Sequence, residues 1–204
     1  MPEFLKRLSL ALSSRIAVGV LDRIYGAEAL NLLLRISPMQ IVPSILRSCG
    51  AAIGENVRFR SPLVIHNSDI QRTSYYKNLC VGSNCYFGRE LFLDLQDRIV
   101  VEDNVTISHR VMILTHTDAG DSPVRDTSVP TSCAPVVICT GAYIGANVTI
   151  LQGIEIGSNA VVGAGAVVTR SIPPFSVAVG VPARARRVAG SSLETDSEPT
   201  ARSN

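Results

Sequence analysis

The 204-residue chain contains no tryptophan, only 5% aromatic residues and three histidines. A core of stacked rings is therefore excluded, and the 46% hydrophobic fraction must pack as aliphatic and small side chains, as in a narrow, layered interior. Excess charge of one sign is missing too. The formal net charge is +2, with no basic stripe interleaved with aromatics, which argues against nucleic acid as the main partner. The five cysteines (Cys49, Cys80, Cys85, Cys133 and Cys139) are odd in number and show no metal-ligand spacing. Reduced thiols in a cytosolic protein, and no metal, are the expectation. Long apolar runs are also lacking: Arg15 and Asp22 interrupt the one candidate, which fits neither a signal peptide nor a membrane span.

What the sequence does have is a period of six. Ile138, Ile144, Ile150, Ile156, Val162 and Val168 recur at this spacing, while Ala142, Val148, Ile154, Ala160 and Ala166 hold the fifth place of each six. Such a period fits neither a helix nor a flat sheet, so each six must be a short flat segment plus a corner. Three segments close a triangular coil of about 18 residues, whose first and fifth places point inward and stack coil on coil. Asn56, Asn84, Asn104, Asn147 and Asn159 each fall at the fourth place, where a corner calls for a residue that tolerates left-handed backbone.

Residues 1–50 lack the repeat and read as two helices, roughly 3–25 and 27–47, the second broken near Ser37-Pro38 and again at Pro43. Leu5, Leu8, Leu12, Ile16, Val20 and Ile24 make the first amphipathic, flanked by Lys6, Arg7, Arg15 and Arg23. It suits either a cap on the open end of the solenoid or a helix lying on an anionic membrane surface. The repeat domain spans 51–188. Hexads break between about 66 and 80, slip by two residues between Ile99 and Val101, and break again over 114–135, a polar loop with three prolines expected to project as an arm. Pro173-Pro174 is expected to end the regular coils, and Gly180-Val-Pro-Ala183 to turn into a basic run. Residues 189–204 read as a disordered tail.

The order of features from Asn104 to Arg187 is more specific than the hexads alone. It comprises the hexads, a Thr-His pair before the arm, a second hexad array, Val-Gly-Ala-Gly-Ala-Val-Val-Thr-Arg170, Ile-Pro-Pro and Gly-Val-Pro-Ala-Arg184. It resembles the hexapeptide-repeat O-acetyltransferases of the galactoside, maltose and colanic-acid type, with weaker similarity back to about Ile53. The resemblance implies a mainly β fold, a single-stranded left-handed parallel β-helix, the hand coming from the family and not from the spacing. It also implies a homotrimer that binds acetyl-CoA between neighbouring coils and acetylates a sugar or glycan hydroxyl. A cytoplasmic location follows, at the inner membrane surface if residues 3–25 dock there.

Site residues come from the same resemblance. His116, before the arm, matches the family's catalytic histidine; a free imidazole, with an intrinsic pKa of about 6.5, can take the proton of an attacking hydroxyl near neutral pH. The plain alternative is a surface histidine. His109 and His66 are weaker candidates. Glu90 stands where the family has an acceptor-binding Asn, and Asp94 falls near a family Asp. Asp118 could orient the base or touch the acceptor. Coenzyme contacts are implied at Ala146, Ala164, Thr169, Arg170, Arg184 and Arg187, with Tyr143 a further candidate at the groove; guanidinium groups suit the coenzyme's phosphates. Two other readings stand beside this one. A γ-carbonic-anhydrase-like metalloenzyme would need three converging imidazoles, for which the His109–His116 spacing is wrong. The other is a non-catalytic trimeric scaffold.

Overall fold

In the computed structural model, which describes residues 19–20, 27–67 and 75–187, the hexads wind into a three-sided prism of parallel strands. The first face stacks Ala52–Ile53, Leu79–Val81, Ile99–Val101, Val136–Ile138 and Glu155–Ile156. The second stacks Arg58–Phe59, Tyr86–Phe87, Thr106–Ile107, Tyr143–Ile144, Val161–Val162 and Ser176–Val179; the third stacks Leu63–His66, Leu91–Asp94, Met112–Ile113, Thr149–Ile150 and Val167–Val168. The fold is the left-handed β-helix that the family resemblance implied.

The period accounts for the packing. The first-place residues Ile138, Ile144, Ile150, Ile156, Val162 and Val168 are all 0% exposed, and Ala142, Val148, Ala160 and Ala166 join them in the core with Ile154. Small fifth-place alanines near the corners leave room for the branched first-place residues of the next coil. Phe59 and Phe87 fill the wider early coils as a stacked pair, with ring centroids 4.2 Å apart. At the corners, Asn56, Asn84, Asn104, Asn147 and Asn159 have φ of 54°, 59°, 60°, 57° and 56°. For an ordinary L-residue that backbone costs about 1–2 kcal/mol, which is why asparagine recurs there.

Strand register locates every irregularity. Regular coils pair residues 18 apart, as Val137 does with Glu155, whereas Ala52 with Cys80, Cys80 with Val100 and Val100 with Val137 are 28, 20 and 37 apart. In each long coil the first face leads to the second, and the second to the third, in six residues; all the extra chain lies at the third corner, where the third face turns back to the first. The excursion after His66, the two-residue slip after Asp94 and the arm after Ile113 are thus stacked on one edge.

Before the prism come two helices, α1 (Ala27–Ile36) and α2 (Val42–Ser48). Leu30 and Leu34, one turn apart on α1, are fully buried and pack toward the strand Leu63–His66. The Asn31 side-chain oxygen accepts the Ile65 N–H at 3.3 Å, satisfying a donor on the outermost strand of the third face. Val42, Ile45 and Leu46 bury α2 against the first coil, and Arg47 Nε donates to the Ile53 carbonyl at 3.0 Å. Two expectations are corrected. Pro43 does not break a helix: it sits in the first turn of α2, where its missing N–H is harmless. Pro173-Pro174 does not end the coils, because Ile172 still bridges Ile156 in the core and Ser176–Val179 adds another strand to the second face. The prism ends when Arg184–Arg187 folds back antiparallel on that strand. The amphipathic segment expected over 3–25 falls outside the described residues except at positions 19–20, as does the tail from 188. No helix among the described residues is long and apolar enough to cross a membrane.

Candidate active site

The stacked insertions at the third corner bring five polar side chains together: His66, Asn67, Asp94, Thr115 and His116. Asp94 ends its strand, in register with His66 of the outermost strand, and Asn67 follows with a left-handed φ of 51°. One coil further on, Thr115 and His116 leave the prism for the arm. The arm is a hairpin: His116–Thr117 pairs antiparallel with Ser132–Cys133, His116 opposite Cys133, and a short 3₁₀ turn at Pro123–Asp126 lies beyond. Gln152, from the next coil, donates through Nε2 to Thr117 Oγ1 at 3.2 Å and to Ser132 Oγ at 2.8 Å, tying both strands of the arm to the prism.

Asp94 is the centre of the cluster. Its side chain is 0% exposed, and Oδ2 lies 2.5 Å from His116 Nδ1. The same oxygen accepts the backbone N–H groups of Thr115 at 2.8 Å and His116 at 3.0 Å; Oδ1 accepts Asn67 Nδ2 at 3.0 Å and the Gln96 N–H at 3.3 Å. Burial pushes the carboxyl pKa up, but the bonds from His116, Thr115, Asn67 and Gln96 outweigh it, and the net shift is downward. Asp94 therefore stays a carboxylate. It accepts a proton-bearing Nδ1, so the lone pair of the neutral imidazole is on Nε2. Asn67 Nδ2 is 3.4 Å from His116 Nδ1 and 3.3 Å from Nε2. Near-equal distances put it over the ring, off both lone-pair axes, so Nε2 remains open. The His116 side chain is 24% exposed, with its ring centroid 6.3 Å from that of His66. Chemically the pair is a carboxylate-oriented imidazole base with one nitrogen facing outward.

The other expected residues are distributed as follows. Asp94, expected against the acceptor, is enclosed, and its oxygens are taken up by protein donors, so it acts on His116 instead. Asp118 does not orient His116: it is exposed, and its Oδ1 accepts the Gly120 N–H at 2.9 Å and the Thr131 hydroxyl at 3.1 Å. These bonds, the Gly120 N–H first, lower its pKa. Glu90 lies at the second corner, between the second and third faces, with φ of 58°, and pairs with Arg110 Nε at 2.6 Å. Ala146 and Ala164 stack at that same corner, where the Gly165 N–H bonds to the Ala146 carbonyl. Tyr143 points outward from the second face and is 44% exposed. Thr169 and Arg170 continue the third corner two coils above His116, and Arg184 enters from the fold-back, where the Ala183 N–H bonds to the Val167 carbonyl. Arg187 closes the last strand, opposite Ser176. Two edges therefore carry the expected groups, about 16 Å apart if the side between them spans five residue steps at 3.3 Å.

His109 is on the second corner, exposed, its Nδ1 accepting the Arg89 N–H at 2.9 Å. It is on a different edge from His66 and His116, so three imidazoles do not converge. Among the described residues no three His, Cys, Asp or Glu groups are placed to hold a metal. Sequence reasoning gave His66, which lies beside His116, little weight and did not single out Asn67, Thr115 or Gln152. The available signal was that the chain irregularities all occur at one corner.

Comparison with known proteins agrees with the fold. The family described as Bacterial transferase hexapeptide (six repeats) matches residues 135–170. Galactoside O-acetyltransferase of Escherichia coli (strain K12) is 32% identical over 144 residues, which are 71% of this chain and 66% of that protein. The chain thus spans about two thirds of that relative's length, and about half of a 35% identical putative acetyltransferase of Schizosaccharomyces pombe. Among solved structures, a maltose O-acetyltransferase from Clostridium difficile 630 superposes with a TM-score of 0.64 at 29% identity, covering 87% of each chain. A galactoside acetyltransferase in complex with coenzyme A gives 0.66 at 26% identity, covering 87% of this chain and 81% of that one.

Proposed function

The chain belongs to the hexapeptide-repeat acetyltransferases, and from that membership we infer that it transfers an acetyl group from acetyl-CoA to a hydroxyl of a sugar or glycan. The observation that carries the reading is the Asp94–His116 pair, whose Nε2 is left open toward solvent at the base of the arm.

The chemistry follows from that nitrogen. As the hydroxyl oxygen attacks the thioester carbonyl carbon, Nε2 takes its proton; the new C–O bond forms and a tetrahedral oxyanion results. Collapse breaks the C–S bond, and the imidazolium returns the proton to the departing sulfur, so the products are the acetyl ester and free coenzyme A. Asp94 favours the imidazolium electrostatically while remaining ionised itself. Transfer is direct, with no acyl group held by the protein.

The two edges support a homotrimer. Coenzyme A lying against Ala146 and Ala164 is on the second corner, roughly one prism side from His116 of the same chain, whereas reaction needs the atoms within about 3.5 Å. A neighbouring copy that lays its second corner beside this third corner closes the gap. Tyr143 faces the coenzyme's groove, while Thr169, Arg170, Arg184 and Arg187 meet its phosphates at the end of the prism. The protein works in the cytoplasm, with residues 3–25 available for a membrane surface.

The test is release of coenzyme A thiol from acetyl-CoA with a panel of sugar acceptors. Wild type should show acceptor-dependent release, and His116→Ala should lose it by about 10²–10⁴-fold with the binding of coenzyme A unchanged. Turnover that survives the substitution intact removes His116 from the mechanism.

A further inference from the structure

A groove of about 360 Å³ runs between α1 and the strand Leu63–His66, lined by Asn31, Leu32, Arg35, Val64, Ile65 and His66. Its volume falls within the range of small-ligand sites. The lining is chemically one-sided. Among the described side chains it holds a guanidinium, an imidazole and an amide whose oxygen is already engaged with the Ile65 N–H, together with three aliphatic side chains and no carboxylate. A site for a neutral sugar calls for acceptors that receive hydroxyl protons, typically carboxylates. Asp94, the carboxylate in register with His66 on the next strand, is buried and saturated. What this groove offers is donors and positive charge. Arg35 is in the last turn of α1, exposed, with no ion-pair partner among the described side chains.

The groove also reaches the neighbour of the reacting imidazole. His66 forms one wall and is the neighbour of His116, their ring centroids 6.3 Å apart.

We propose that this groove holds the acceptor and selects an anionic sugar, one bearing a carboxylate or a phosphate, with Arg35 gripping the acid group and His66 beside the ring. The assignment deepens the acetyl-transfer reading and rests on it for the chemistry, but it names a substrate class and a specificity residue that the fold does not dictate. A planar guanidinium binds either acid group through paired hydrogen bonds.

The experiment compares glucose, glucuronate and glucose 1-phosphate as acceptors for wild type, Arg35→Gln and His116→Ala, with imidazole resonances followed in parallel by NMR. Only three histidines are present, so His66 is assigned with a His66→Gln variant. Wild type should favour at least one of the two anionic sugars over glucose by tenfold or more in kcat/KM. Arg35→Gln should abolish that preference by raising KM for the anion. The preferred anion should move the His66 resonance in wild type and in His116→Ala, and not in Arg35→Gln; whether glucuronate or glucose 1-phosphate does so distinguishes carboxylate from phosphate. Preference for glucose, an anion KM indifferent to Arg35→Gln, or a His66 resonance that neither anion moves would overturn the proposal. Failure of the acetyl-transfer reading looks different: turnover persists in His116→Ala, while the anion still shifts His66 through Arg35.

Discussion

Replacing Asp94 with asparagine isolates the charge of one carboxylate while keeping its shape. Its two oxygens accept from Thr115, His116, Asn67 and Gln96, with 2.5 Å to His116 Nδ1 the shortest contact. Whichever way the amide is turned, its NH₂ meets donors: His116 and Thr115 on one side, Asn67 and Gln96 on the other. Each buried donor left without an acceptor costs about 1–3 kcal/mol, so a clear fall in unfolding free energy is expected at pH 7. A charge-assisted bond of this kind is worth about 1.5–3 kcal/mol. At 1.4 kcal/mol per factor of ten, its loss lowers kcat about 10- to 100-fold, with KM for acetyl-CoA unchanged because Asp94 touches no ligand. pH gives an independent readout. The folded carboxyl titrates below its ordinary value, so its stabilising contribution is present above the unfolded pKa of about 3.9 and is lost as pH falls through the folded value. Wild type should lose stability over that acid range, and Asp94→Asn should not show this component. Coenzyme A thiol release and denaturant titrations at pH 3–7 measure both. If Asp94→Asn keeps full kcat while His116→Ala is inactive, the carboxylate does not orient the base.

Two further substitutions test the scaffold and the arm. Ile144 is a first-place residue with 0% exposure, enclosed by Ile107 and Val162 in the coils on either side, so Ile144→Ala should destabilise by about 2–5 kcal/mol in urea titration. An effect under about 1 kcal/mol would mean that the prism relaxes around the cavity. Gln152→Ala removes both bonds to the arm, each worth about 0.5–1.5 kcal/mol net. Faster limited proteolysis between 118 and 131 and a severalfold lower kcat should follow, with the global unfolding midpoint almost unmoved; unchanged cleavage would show that the arm is held by other contacts.

The prism was legible because its rule is local. An aliphatic residue every sixth position and an asparagine at the corner each satisfy a requirement within a single coil, so Ile144 and Asn147 announce their places without knowledge of the neighbouring turns. His116 was legible for a related reason: it stands where the repeat stops. Asp94 and Asn67 were harder. Their partners lie 22 and 49 residues away in sequence, and only the number of residues inserted per coil decides which side chains meet. The expectation of Asp94 at the acceptor came from its nearness to a family Asp, whereas its burial follows from the third-face register that sets it beside His66, and from Thr115 and His116 turning back over it. Pro173-Pro174 misled in the opposite sense. A proline ends a strand that needs its N–H for the ladder, but a solenoid corner makes no such demand, and Ile172 and Ser176 stay buried on either side.

That all three insertions share one corner is the step that joins fold to chemistry. An insertion at a prism corner leaves the inward stacking undisturbed and therefore costs the core little, so corners are where polar side chains can be added. Spread over three different corners, His66 with Asn67, Asp94, and Thr115 with His116 would be three unrelated surface features. Stacked on one edge at the roughly 4.8 Å rise of successive coils, they lie within hydrogen-bonding reach of one another, and a buried carboxylate can meet an exposed imidazole without interrupting a single aliphatic column. The same stacking accounts for the asymmetry of the two edges. The second corner has no insertions and carries the small residues Ala146 and Ala164 in its later coils, beyond Glu90, His109 and Arg110 in its earlier ones, whereas the third corner is irregular and carries the Asp94–His116 pair. A smooth edge suits an extended ligand lying along the axis, and an irregular one suits a compact reacting centre; the chemistry requires both, and a single prism presents them on separate edges.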